Sequence, residues 1–335
     1  MTLVPSSFDV TSLASLDTSA LPRIGRAVGR GSAHAKLILF GEHVVVYGKP
    51  AVALPLRAMR MRATAWREGT EPRFESDHYT GPLAAAPEIV EAPRKAIEET
   101  LRAIGGDLEG LTVAVRGNIP LGRGLGSSAA AAGAIVDAVS RLHNVTLSGG
   151  EHFALVQLAE QVAHGKPSGL DALATTIPSP IRFQNASAVP VPVALDACFV
   201  IADTGVHGST RQAVDDVRTS LERDNDSTMA TIDALGELSD SAIADLETNE
   251  PRSLGARMSQ AHELLSKLGV SHPALDGLVA AATGAGAFGA KLTGGGLGGC
   301  IVAVVERGNA SAVASALQSA GAIQTWSVTS TGTPL

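Results

Sequence analysis

The sequence contains very few cysteines and very few aromatic residues. Its two cysteines, Cys198 and Cys300, cannot form a disulfide framework, which is typical of a protein from a reducing compartment. Aromatic residues make up only 3% of the 335 residues, whereas 36 residues are glycine. The core is therefore predicted to consist of small aliphatic side chains, with segments of backbone that approach one another closely.

The sequence also lacks a basic block and a long apolar run. Lys and Arg total 26 and Asp and Glu total 33, so the formal net charge is -7. This balance argues against binding to nucleic acid or to an anionic membrane surface. No apolar run reaches the roughly 18 residues that cross a bilayer, and the first thirty residues do not resemble a secretion signal. We therefore expect a cytoplasmic globular protein.

The spacing of apolar residues predicts a mixture of strands and helices. Strand-like runs predominate in the first half of the chain, at residues 35–40, 44–47 and 52–66. Helical spacing predominates in the second half, at residues 209–223, 228–247, 252–268 and 274–284. The alternation is too irregular for a (β/α)8 barrel, so the sequence predicts the α+β class. We expect an N-terminal extension at residues 1–30, a first lobe at 31–195 and a second lobe at 196–335.

A glycine-rich loop at residues 122–128 is the most specific local feature. It follows a strand-like run and opens into a helical pattern that ends at Leu142. Ser127 and Ser128 stand at positions where helix caps are favoured. A strand, a glycine turn and a helix N-terminus together bind phosphate well, although an ordinary capped helix would give the same pattern. A dinucleotide-binding turn fits poorly, because residue 127 is not glycine and no acidic residue ends a second strand.

Two acidic residues form a second candidate cluster. Glu160 shares a predicted helical face with Val156 and Ala163, so its carboxylate lies on a largely apolar stripe. Asp171 follows eleven residues later, after a segment that contains Gly165 and Gly169. Such a pair is either structural or functional, and the spacing alone does not decide between the two.

A second glycine-rich segment lies at residues 294–299, where five of six residues are glycine. A strand-like run follows it, whereas a dinucleotide-binding turn is followed by a helix. So many glycines indicate either close packing of two lobes or a wall of backbone beside a ligand.

Taken together, these segments resemble the superfamily of galactokinase, homoserine kinase, mevalonate kinase and phosphomevalonate kinase. Residues 33–51 resemble its first motif, residues 120–130 its second and residues 291–299 its third. Residues 164–171 resemble the segment that mevalonate kinases have around their catalytic aspartate. The resemblance implies a two-lobed small-molecule kinase fold, with the active site between the lobes.

The strongest resemblance is to the mevalonate kinases. It implies ATP-dependent phosphorylation of the 5-hydroxyl of (R)-mevalonate, with Mg²⁺ as the cofactor and only small molecules as substrates. It also admits a homodimer, since dimers are common among similar enzymes.

The same resemblance assigns roles to individual residues. It implies that Asp171 accepts the hydroxyl proton and that Lys36 lies beside it. The implied ATP-binding residues are Pro120, Gly122, Gly124, Leu125, Gly126, Ser127 and Ser128. The implied Mg²⁺ ligands are Ser128 and Glu160, and the implied mevalonate contacts are Glu42, His43 and Thr210. The resemblance also implies a glycine wall near the acceptor, at Gly294, Gly295 and Gly296.

Five alternatives remain beside this interpretation. Phosphomevalonate kinase is the nearest, because Lys166 and Arg211 could bind the extra phosphate of its acceptor. Galactokinases have arginine in place of Lys36, and homoserine kinases lack the arrangement of Lys36 with Asp171. A non-catalytic sugar sensor would have lost the base or the lysine, and both are present. A dinucleotide-dependent oxidoreductase is the least favoured alternative.

Overall fold

The computed structural model describes residues 27–335 and contains two β-sheets. The first sheet is formed by β1 (Val28–Phe40), β2 (Ala51–Arg67), β3 (Arg73–Glu75), β4 (Thr80–Pro82), β5 (Leu111–Gly117), β6 (Ile181–Gln184) and β7 (Ser187–Pro190). The second sheet is formed by β8 (Cys198–Asp203), β9 (Gly289–Thr293), β10 (Cys300–Val305) and β11 (Gln324–Thr329).

Helices account for most of the remaining chain. Those before the second sheet are α1 (Glu91–Ile104), α2 (Ser127–Leu142), α3 (Gly149–His164) and α4 (Leu170–Ala174). Those that follow β8 are α5 (Thr210–Arg223), α6 (Asn225–Thr248), α7 (Pro251–Lys267), α8 (Pro273–Gly284) and α9 (Ala310–Ser319). No helix within residues 27–335 has both the length and the apolar character needed to span a membrane.

The long strand β2 organises the first sheet. It pairs antiparallel with β1, β5 and β6. The strand order of the sheet is β4-β3-β5-β2-β6-β7, and β1 lies off this path, paired with β2. The second sheet is antiparallel in the order β11-β8-β10-β9. The chain leaves one sheet at Pro190 and enters the other at Cys198. The predicted lobe boundary at residue 195 falls in this connection, and the division into two lobes stays a prediction.

Close packing of α2 against β1 brings two parts of the candidate site together. The alanine-rich face of α2 is fully buried, and β1 presents Gly31 to it. A β-carbon added to Gly31 would overlap the carbonyl oxygen of Ala134, so only glycine allows this approach. The loop before α2 is thereby held to β1, where the backbone N–H of Lys36 donates to the carbonyl of Leu125 at 3.1 Å.

The structure confirms the α+β class and contains a helix at each of the four ranges predicted in the second half of the chain. The strand predicted at residues 44–47 is wrong, because Val44–Tyr47 form a 3₁₀ helix. Its flanking residues His43 and Gly48 both have positive φ, which turns the chain before a strand can pair. Residues 1–26 of the predicted extension lie outside the described residues, and β1 already begins at Val28.

We predict that Gly31→Ala lowers the free energy of unfolding by about 1–3 kcal/mol, because the added methyl group overpacks the contact with α2. Thermal unfolding measures the effect. Gly277→Ala is the matched control, since an added β-carbon there has no neighbouring atom within 4 Å and alanine favours the helix. Equal melting temperatures for Gly31→Ala and the unsubstituted protein would contradict the close packing.

Candidate active site

The two predicted catalytic side chains are in contact. Lys36 lies in β1, and its side chain is only 2% exposed. Its Nζ atom is 3.1 Å from Oδ1 of Asp171, which lies in the first turn of α4. The carboxylate of Asp171 is about one-third exposed, so it can reach a ligand while it holds the buried ammonium group.

The glycine loop presents backbone to the site. Gly122, Gly124 and Gly126 all have positive φ, and Gly126 is the N-cap residue of α2. The expectation that a serine caps this helix is wrong, because Ser127 and Ser128 are its first two residues. No side chain of the described residues caps the helix, which leaves its first N–H groups available to an anion.

Two adjacent cavities meet at Asp171. The first cavity has a volume of about 410 Å³ and is lined by residues that include Lys36, Glu42, His43, Glu160, Asp171 and Thr210. The loop cavity has a volume of about 290 Å³ and is lined by residues that include Gly122, Gly124, Gly126, Ser127, Ser128 and Asp171. A group bound in one cavity therefore lies next to a group bound in the other.

Two predicted ATP-binding residues have other surroundings. Pro120 and Leu125 are outside the lining of both cavities, as residues 27–335 define them. Leu125 is fully buried, and its carbonyl instead anchors the glycine loop to β1. Leu125 therefore holds the loop in place through its buried side chain and its backbone carbonyl.

Glu160 is a buried carboxylate beside the start of α2. It is 1% exposed, and its Oε1 atom has no hydrogen-bond partner among the described residues. Burial, together with the charge of Asp171, raises its pKa to about 7, although the Ser128 hydroxyl and the charge of Lys36 act in the opposite direction. An unpartnered buried oxygen beside a hydroxyl fits a divalent cation that prefers oxygen ligands.

A cation at this position would need additional ligands. Within residues 27–335 no three His, Cys, Asp or Glu side chains form a group that could hold a metal ion. Any such cation would therefore depend on oxygen ligands supplied by a bound molecule.

Glu42 forms an ion pair that the sequence did not indicate. Its Oε1 atom accepts from Nζ of Lys291 in β9, and both side chains are buried to within 1%. Burial raises the pKa of Glu42 and lowers the pKa of Lys291. The sequence analysis placed Lys291 at the start of the third motif and gave it no role, whereas the structure shows it inside the fully buried strand β9.

His43 lines the first cavity and has one buried ring nitrogen with no partner among the described residues. Its Nε2 atom lies 2.9 Å from the carbonyl oxygen of Gly295, and its Nδ1 atom is buried without a partner among the described residues. Burial lowers its pKa to about 4, so the ring is neutral at pH 7. Because a carbonyl only accepts, the proton is assigned to Nε2 and Nδ1 carries a free lone pair.

The second glycine segment forms a wall of backbone that both cavities share. Gly294 and Gly295 line the first cavity, and Gly295 and Gly296 line the loop cavity. A β-carbon added to Gly294 would lie 2.6 Å from the α-carbon of Gly124, and one added to Gly295 would overlap the hydroxyl of Thr210. The glycines therefore allow close packing and also expose backbone in both cavities.

Arg123 and Arg211 are further candidates that the structure brings to the site. Arg123 donates from Nε to Oδ2 of Asp203 at 2.8 Å and from Nη2 to the carbonyl of Gly205, so it joins the glycine loop to the second sheet. Arg211 lines both cavities and forms no ion pair with any described residue. The sequence indicated Arg211 only as a possible phosphate ligand and gave no signal for Arg123.

Comparisons with known proteins agree with this geometry. Residues 91–177, which contain the glycine loop, Glu160 and Asp171, match the N-terminal domain of GHMP kinases, and residues 242–323 match the GHMP kinase C-terminal domain. The mevalonate kinase of Thermococcus gammatolerans is 36% identical over 314 residues, which cover 87% of this chain and 92% of that protein.

Solved structures show the same likeness. The structure of L. major mevalonate kinase in complex with R-mevalonate matches with a TM-score of 0.78 at 26% identity, over 92% of this chain and 99% of that one. Streptococcus pneumoniae phosphomevalonate kinase in complex with phosphomevalonate and AMPPNP matches with a TM-score of 0.76 at 18% identity, over 89% and 99%. The second likeness shows the fold alone.

We predict that His43 stays neutral, with its proton on Nε2, from pH 8 down to about pH 5. Its folded pKa of about 4 lies below the ordinary value of 6.5, so its contribution to stability is complete above pH 6.5 and is lost as the pH falls towards 4. ¹⁵N-detected NMR of the imidazole nitrogens measures the tautomer, and His43→Gln assigns the signal. A midpoint near pH 6.5 would contradict the burial argument.

Proposed function

The chain belongs to the GHMP kinase family, and on this basis we propose that it transfers the γ-phosphoryl group of ATP to the 5-hydroxyl of (R)-mevalonate. The products are 5-phosphomevalonate and ADP. The observation that carries the proposal is that a phosphate-type cavity and a second cavity meet at Asp171, beside the buried Lys36. Relatives named mevalonate kinase, which align with 87% of this chain, support the choice of acceptor.

The loop cavity is the proposed site of the triphosphate. Its lining consists largely of glycine backbone and the uncapped start of α2, so N–H groups and the positive end of the helix dipole face the ligand. Glycines with positive φ leave room for phosphate oxygens to approach the backbone. Ser127 and Ser128 add two hydroxyl groups at the same helix start.

Ser128 and Glu160 are the proposed protein ligands of Mg²⁺. The hydroxyl and the unpartnered carboxylate oxygen form a hard donor set that suits this ion. These two residues would hold the ion, which would supply positive charge to offset that of the transferring phosphate groups. The buried position of Glu160 keeps its carboxylate away from competing water.

Asp171 is the proposed general base. It lies where both cavities meet, so its carboxylate can accept the proton of a hydroxyl in the first cavity while that oxygen attacks the γ-phosphorus. The ammonium of Lys36, 3.1 Å from Asp171, stabilises negative charge on the attacking oxygen and on the transferring group. Because Lys36 is buried, its interaction with these charges is screened only weakly by solvent.

The first cavity is the proposed acceptor site. The free lone pair on Nδ1 of His43 can accept a hydrogen bond from a substrate hydroxyl, and Thr210 contributes a hydroxyl to the lining. Lys166 and Arg211 line this cavity, and neither forms an ion pair with a described residue, so either can hold the substrate carboxylate. Two unpaired cations also suit an acceptor that carries a phosphate, which is why phosphomevalonate kinase is the second candidate.

We predict that ADP is released from MgATP in the presence of mevalonate, and not with phosphomevalonate, galactose or homoserine at equal concentration. A coupled assay of ADP measures this, and an arm with excess chelator tests the requirement for Mg²⁺. If ADP were released only with phosphomevalonate, the proposed acceptor would be wrong, and the reaction type of the family would still hold. Release with the chelator present would contradict the role of Mg²⁺.

We predict that Asp171→Asn lowers kcat at least ~10²-fold, because the amide cannot accept the hydroxyl proton. The KM for ATP should change little, since the proposed triphosphate ligands are backbone groups of the glycine loop. Steady-state kinetics measure both constants. Asp240→Asn is the control, because that carboxylate is exposed and pairs with Arg182 outside the lining of both cavities. Unchanged turnover in Asp171→Asn would exclude this residue as the base.

A further inference from the structure

Every second residue from Lys291 to Gly295, across β9 and the loop after it, forms a hydrogen bond to β1 or to the turn that follows β1. We call these three bonds the seam. They join Lys291 to the carboxylate of Glu42, the hydroxyl of Thr293 to the carbonyl of Ile38 at 2.8 Å, and the carbonyl of Gly295 to Nε2 of His43 at 2.9 Å. Residues two apart in a strand face the same side, so one face of β9 supplies the first two bonds directly.

The cation of the seam has no contact with solvent. Lys291 is 0% exposed, and besides Glu42 its Nζ atom donates to the carbonyl of Leu292 at 2.6 Å. The same atom lies 5.9 Å from the centre of the Phe40 ring. A buried charge without a partner is strongly unfavourable. The ion pair therefore favours the conformation in which Lys291 and Glu42 are in contact.

Glu42 transmits this constraint to the first cavity. Glu42 and His43 both line the cavity, whereas Lys291 is outside its lining as residues 27–335 define it. His43 follows Glu42 directly and has φ of 63°, a conformation that residues other than glycine adopt only when their surroundings impose it. The bonds on either side of that position, from Lys291 and from Gly295, supply the constraint.

We propose that Lys291 is a positioning residue for the acceptor site. By holding Glu42, it fixes the peptide between Glu42 and His43 and aligns both side chains with the bound alcohol. Lys291 itself does not touch the substrate. The inference rests on the proposed function for the identity of the alcohol, although the seam does not depend on it.

The charges that surround Glu42 give the proposal a pH signature. Burial raises the pKa of Glu42, while Lys291 on β9 and Lys36 on β1 lower it. Without Lys291 the pKa of Glu42 rises further, so the carboxyl group protonates at higher pH. Two neighbouring histidines, His43 and His262 of α7, have pKa values lowered mainly by burial and further by Lys291, so both are expected to stay neutral at pH 7 and above.

The test is Lys291→Met, assayed with mevalonate and ATP from pH 6 to pH 9. We expect the KM for mevalonate to rise at least ~10-fold at pH 7, while the KM for ATP stays within twofold. Because loss of Lys291 raises the pKa of Glu42, the pH dependence of the KM for mevalonate should move to higher pH than in the unsubstituted enzyme. A KM for mevalonate within twofold of that of the unsubstituted enzyme across this range would overturn the proposal.

Two further variants separate positioning from stability. Thr293→Val removes another bond of the seam without changing a charge, so it should lower the melting temperature without shifting the pH dependence of the KM for mevalonate. If Lys291→Met does not fold, Lys291→Arg retains the positive charge and should keep the unsubstituted pH dependence. A shifted pH dependence in Thr293→Val or in Lys291→Arg would refute the assignment.

The unsubstituted enzyme distinguishes failure of this inference from failure of the proposed function. If it does not phosphorylate mevalonate, the proposed function fails. The same variants are then compared with the alcohol that it does phosphorylate, and the expected dependence of KM on pH is unchanged.

Discussion

The backbone of Gly124 touches the backbone of Gly294, and this contact sets the distance between the glycine loop and the second sheet. No side chain can be added at either position without moving one of the two segments. At this separation Lys291 can reach Glu42 and Arg123 can reach the second sheet. The glycines also expose backbone in the loop cavity, whose lining further includes Arg123 and Arg211, and this combination suits an anionic ligand.

Features encoded locally could be predicted from the sequence. The alternating glycines at 122, 124 and 126 predicted a loop that opens into a helix, because such spacing directly controls the backbone. The amphipathic helices of the second half were predicted close to their observed bounds, because the spacing of apolar residues is also a local signal. The strand predicted for the valine run at 44–47 was wrong, because the left-handed residues at its two ends outweigh the strand propensity of the run itself.

Features that join distant parts of the chain could be predicted only by resemblance or not at all. The pairing of Lys36 with Asp171 came from the motifs of a known superfamily, and the structure brings the two residues together. The pairing of Glu42 with Lys291 had no such guide, since a lone lysine between alanine and leucine is normally read as solvent-exposed. The apolar stripe around Glu160 predicted burial, but only coordinates reveal that one carboxylate oxygen lacks a partner.

The bond between Glu42 and Lys291 joins residues 249 positions apart, which has a consequence for the protein as it is synthesised. Translation completes the strands and helices of the first sheet long before Lys291 leaves the ribosome, and contacts so distant in sequence form late. Until then the nascent chain must either hydrate the Glu42 carboxylate or protonate it. Emergence of β9, rather than folding of the glycine loop, is therefore the event that completes the proposed acceptor side of the site.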